Sequence, residues 1–186
     1  MALTDAQLIT LKADIAANSD TNTIPMGVAG DVLIRDLYNA TTTLDVWQTA
    51  VSVNNVYDQI DFTKYTPVDA AAENAIGTQR LLIIQTKQMN LQNMLQGRDV
   101  INASKANIRN GIKDATTQLP AGTSGAMISA SGSSGVNVLT AMTRKANRIE
   151  KLFATTPATT GTVTANLLVY EGSVSVDDIT AAREHA

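Results

Sequence analysis

The side chains best placed to act chemically are cations. Lys105, Arg109 and Lys113 recur at intervals of four, which lines three positive groups along one side of a helix. Arg144, Lys145, Arg148 and Lys151 form a second basic run, in which Arg144, Arg148 and Lys151 share one helical face. Stripes of this kind attract phosphate or carboxylate surfaces, so these seven residues are the candidates to face DNA or a protein partner. Trp47, the only tryptophan, is the candidate anchor, placed either in the core or at an interface, where tryptophan is enriched.

Other chemistry is scarce. The chain has no cysteine, which excludes disulfides, thiolate metal sites and cysteine nucleophiles. Its single histidine, His185, lies next to the C-terminal residue. There are four glutamates and no glycine-flanked serine elbow. Asp58 and Asp61, near Tyr57 and Lys64, read as a solvated helix end, and Asp177 and Asp178 fall where a helix N-terminus stabilises negative charge. A metal would need further ligands beside them. The Gly- and Ser-rich tract from Pro120 to Gly135 lacks the Gly-Lys-Ser/Thr ending of a phosphate loop. The sequence therefore predicts neither an enzyme, nor a cofactor, nor a metal site. It also lacks a recognisable DNA-reading helix, which leaves loose electrostatic contact with DNA as the available mode.

The cations belong to a wider sorting of charge. Residues 1–79 hold three basic side chains against ten acidic ones, a net −7. Residues 80–151 hold ten basic against three acidic, a net +7, and residues 152–186 hold one against four, a net −3. An overall charge of −3 conceals this segregation. It suits self-association, a polyanion nearby, or pairing of the two halves within one monomer.

The elements that must position these groups read as mostly helical. A length of 186 residues fits one domain, 1–186, and with 44% apolar but only 4% aromatic residues its core is aliphatic and thin, leaning on neighbouring chains. Thr4 and Gln7 form a capping box before a helix over about residues 5–17. Asp31 is the candidate cap of a second helix, and the run from Thr41 to Trp47 looks extended. Thr66-Pro67 starts a long helix that ends near Gly97, with the Leu81 to Ile84 cluster facing the core. Ser104 opens the helix that carries the first basic stripe. The apolar spacing of Val138, Met142, Ile149 and Phe153 predicts a helix over about residues 134–154 that carries the second. A flexible loop is expected at about 120–135 and an extended segment at about 155–175, before a short helix capped by Ser175. The expected fold is thus mainly α: a helical bundle with a long central helix, extended loops, a short C-terminal strand or hairpin and a terminal helix. The longest run of Leu, Ile and Val is Leu81 to Ile84, too short for a membrane span, and the N-terminus carries no targeting pattern, so a soluble protein made in a cytoplasm is expected.

Four segments, VWQTAV at Val46–Val51, ASKANIRNGI at Ala103–Ile112, TRKANRIEKLFA at Thr143–Ala154 and EGSVSVDDI at Glu171–Ile179, carry a resemblance. In this order they resemble the head-to-tail connector family of tailed bacteriophages, also called adaptor or head-completion proteins. The resemblance implies a structural virion protein in the phage neck, assembled in the host cytoplasm. It also implies a ring of about twelve identical subunits closed by a repeated head-to-tail contact. Its implied partners are the portal protein, a tail-side neck or tail-terminator protein and the DNA passing through. The alternatives are a tail-terminator or capsid-associated virion protein, or, from another class, a helical DNA-associated protein.

Overall fold

A computed structural model describes residues 3–60, 62, 75–116 and 137–185. The elements in chain order are α1 (Asp5–Ala17), α2 (Val28–Asn39), β1 (Thr41–Trp47), β2 (Val51–Ser52), α3 (Val53–Tyr57), α4 (Ala75–Leu95), β3 (Val100–Ile101) and α5 (Ala106–Thr116). A 3-10 turn at Thr140–Met142 then leads to β4 (Thr143–Asn147), α6 (Arg148–Leu152), β5 (Ala154–Thr160), β6 (Val163–Leu168) and α7 (Val176–Glu184). The expected 120–135 loop and the Thr66-Pro67 helix start lie outside the described residues.

The helical-bundle expectation is overturned. The chain is mixed α/β, with a four-stranded sheet in the order β4-β1-β6-β5 and a two-stranded sheet of β2 and β3. The central correction concerns residues 134–154. Their apolar side chains are buried as the spacing suggested, Val138, Leu139, Met142, Ala146 and Ile149 all being shielded from solvent. No single helix carries them. Asn147 accepts a hydrogen bond from the Glu150 N–H (2.9 Å) and Glu150 accepts one from the Asn147 N–H (3.0 Å), a capping box that starts a new helix in mid-segment. Upstream of this box the chain is strand, so helical periodicity misled where a turn, a strand and a five-residue helix each bury a residue or two.

β4 and β1 run antiparallel, since Gln48 N–H donates to the Met142 carbonyl (3.0 Å) while Arg148 N–H donates to that of Ala40 (3.0 Å). β5 and β6 form a hairpin joined by Gly161-Thr162. Gly161 adopts φ 58°, a left-handed turn conformation that glycine enters without strain. β2 pairs antiparallel with β3, Val51 opposite Ile101 and Ser52 opposite Val100.

The chain divides into two compact units, one of residues 1–45, 145–156 and 166–186, the other of residues 46–144 and 157–165. The first unit's core joins Leu11 and Ile15 of α1, Ile34 and Tyr38 of α2, Ile149 of α6, and Ile179 and Ala182 of α7. The Thr4/Gln7 box opens α1 as its spacing predicts, and Ser175 with Asp178 opens α7 in the same way. Asp31 does not cap α2, which begins three residues earlier. It is buried, and its carboxylate accepts from Arg183 (2.7 Å) and from the Thr180 hydroxyl (2.8 Å), tying α7 to α2.

In the second unit α4 packs on α5. Ile84, Leu91 and Leu95, seven and four residues apart, form the buried stripe of α4, each contributing about 1.5–3 kcal/mol by leaving water. Leu82 and Ile83 point to solvent, so of the cluster expected in the core only Ile84 is shown there among the described side chains. A helix can bury one stripe and not four consecutive residues.

Candidate functional site

The structure places the seven candidate cations on different elements and separates them chemically. Arg144 and Lys145 are on β4, Arg148 and Lys151 on α6, Arg109 and Lys113 on α5, and Lys105 on the turn before it. The second stripe therefore does not exist as one helical face.

Arg148 is the hub of the first unit. The Asn147/Glu150 box fixes its backbone, and buried Glu150 also accepts from the Gly172 N–H (2.9 Å) while the Asn147 amide donates to the Gly172 carbonyl (2.8 Å). The guanidinium then lies 4.6 Å from the centre of the Tyr38 ring, a cation–π arrangement. It donates to both oxygens of Asp20, one at 3.1 Å, and stands 3.9 Å from Asp14. The Tyr38 hydroxyl donates to Asp14. Arg148 donation holds the Asp20 carboxyl below its ordinary range, and Asp20 in turn raises Arg148. Burial, then the bond to Asp14, pushes the Tyr38 phenol far above its usual value.

A cavity of about 680 Å³ opens beside this network, bordered by Asp14, Asp20, Thr42, Arg148 and Lys151. Lys151 is exposed at its rim. Lys145 is engaged nearby in sequence, its ammonium 2.9 Å from Asp45 and 3.1 Å from the Thr43 carbonyl. Arg144 is half-buried on its strand.

Arg109 has the opposite setting. It is buried in the second unit, donating to the Thr160 hydroxyl (2.9 Å) and to the carbonyls of Ala103 (2.7 Å) and Ser104 (2.8 Å). Its guanidinium stacks 4.7 Å from the centre of the Trp47 ring, and Trp47 is itself fully buried with its indole N–H donating to the Ala158 carbonyl (2.9 Å). Desolvation lowers the Arg109 pKa. Arg109 therefore leaves the first stripe for the core, while Lys105 is exposed and Lys113 lies 3.6 Å from Asp114.

Sequence reasoning missed Asp14, Asp20, Tyr38 and Thr160, which complete these two arrangements. The acidic excess of residues 1–45 and the basic run at 144–151 were the signal for the first pair. Nothing local marked Tyr38 or Thr160. Chemically, the Arg148 cavity pairs its guanidinium with carboxylates and ties up its phenol, which leaves no nucleophile held by a base there. Among the described residues no group of three or more His, Asp or Glu could hold a metal ion, and no helix is long and apolar enough to cross a membrane. No protein-family model, curated protein or solved structure matches this chain.

Proposed function

We propose that this chain is a structural protein of a tailed-phage particle, a head-to-tail connector that assembles as a ring between portal and tail. The observation that carries the reading is that each of the two units leaves large aliphatic side chains exposed. In the first unit Met26, Val28 and Leu33, around the start and outer side of α2, are more than half exposed; in the second, Leu82 and Met89 of α4 and Val100 of β3 are equally so. Large aliphatic side chains left in water mark surfaces that a partner covers. Two non-equivalent surfaces on one chain are what a head-to-tail contact requires, and such a contact closes into a ring when its rotation allows. The four segments resembling connector proteins, spread in order along the chain, point the same way.

Co-sedimentation with DNA-filled, tailless heads tests the proposal. Saturable binding at the portal vertex that restores tail joining is the expected result. Capture by free tails with no binding to heads would overturn it in favour of a tail-side role.

A further inference from the structure

The second unit contains a groove of about 550 Å³ lined by α4, α5 and the turn after α4. Lys87, Asn90 and Asn93 line it from α4 at intervals of three, and Arg98 follows beyond the helix end. Gly97 makes that placement, since its φ of 72° turns the chain sharply out of the helix. The floor is small and smooth. A side chain at Gly111 would meet the Met94 sulfur at 2.6 Å, so the glycine is what lets α5 approach Met94 and leaves the groove open above them.

Two cations, Lys87 and Arg98, line this groove. Lys87 donates one hydrogen bond to the Asp114 main-chain carbonyl, which fixes its ammonium at the groove and leaves two donors. Among the described residues no ion pair engages Arg98. Asp114 is the one carboxylate among the lining residues, and it stands 3.6 Å from the Lys113 ammonium. From Lys87 to Leu95 the helix rises about 12 Å, and each strand of a duplex carries one phosphate per about 3.4 Å of duplex axis. The lining includes no aromatic ring on which a base could stack.

We infer that the α4–α5 groove is a contact for the phosphate backbone of duplex DNA, in which Lys87 and Arg98 supply the charge and Asn90 and Asn93 neutral donors between them. The expected contact is with phosphate oxygens, which carry no sequence information. It rests on the connector reading only for the source of the DNA, which on that reading is the strand leaving the head.

The test is fluorescence anisotropy of the full chain with a mixed-sequence duplex over a salt series, for the unaltered protein and for Lys87→Gln, Arg98→Gln and the double variant. Each lost phosphate contact lowers the slope of log affinity against log salt by about 0.9, so a fall of close to two is expected for the double variant. Lys12→Gln, on α1, should leave the slope unchanged. Arg98→Gln keeps the test decisive should loss of the Lys87 bond disturb the helix pair, because among the described residues no ion pair holds the Arg98 side chain. No binding to the duplex, an unaltered slope in Arg98→Gln, or equal affinity for polyglutamate of matched charge would each overturn the inference. Its failure is separable from that of the connector reading: heads bound without a DNA contact would refute the groove alone, and DNA bound without heads would refute the connector alone.

Discussion

The two units dispose of their cations in opposite ways. In the first, Arg148, Lys145 and Arg183 each meet an aspartate, Asp20, Asp45 and Asp31 respectively. In the second, Arg109 is buried on carbonyls, a hydroxyl and an aromatic face, and Lys87 and Arg98 border an open groove. Formal charge follows this division. The first unit has six basic and eleven acidic residues, a net −5; the second has eight and six, a net +2. The difference teaches that charge sorting along a sequence is not charge sorting on a surface. The basic run folds back among N-terminal aspartates at Lys145 and Arg148, whereas among the described residues no ion pair engages Lys87 or Arg98.

The sharpest way to break this contrast is at Asp31. Replacing it with Ala strands buried Arg183 without its carboxylate and should cost about 3–5 kcal/mol in urea unfolding, while Asp31→Leu combined with Arg183→Met should recover most of that loss. A small cost for the single variant would show that the pair is not shielded as its burial indicates.

Next in size is Arg109→Met, which leaves the two carbonyls and the hydroxyl without their donor and removes the cation from Trp47. A loss of about 2–3 kcal/mol is expected, with a shift in the emission of the single tryptophan. Arg109→Lys should fall well short of rescue, since one ammonium cannot reproduce the planar fork.

Asp20 gives a smaller, pH-dependent effect, being half exposed. Its carboxyl is held below the ordinary value by Arg148, so its contribution is present above the unfolded-state pKa of about 3.9 and lost as pH falls through the lower folded value. The difference in urea midpoint between the unaltered protein and Asp20→Asn should be full at neutral pH and shrink below about pH 4. A difference constant across that range would show that Arg148 does not act on Asp20. Lys151→Ala, at the cavity rim, should change stability by less than about 0.5 kcal/mol.

The sequence was legible where local chemistry decides the structure. The Thr4/Gln7 box, the turn at Gly97 and the Ser175 cap each specify an end of a helix through hydrogen bonds or a φ angle within a few residues. It was illegible where a sheet had to be assembled from segments about a hundred residues apart, as β1 and β4 are. Thr143 to Asn147 looked helical because its buried Ala146 kept step with Met142 and Ile149, and only pairing with β1 makes it a strand. The site shared this fate. The basic residues were visible, but whether each faces solvent, a carboxylate or a tryptophan depends on partners as distant as Asp20 from Arg148 and Thr160 from Arg109.

One comparison tests the division of labour between the units most directly: the salt dependence of duplex-DNA affinity for Lys145→Gln against that for Arg98→Gln, two single-charge losses in chains otherwise alike. The expected result is a slope unchanged by Lys145→Gln, whose ammonium already belongs to Asp45, and reduced by about 0.9 in Arg98→Gln. Equal reductions, or a reduction confined to Lys145→Gln, would contradict it.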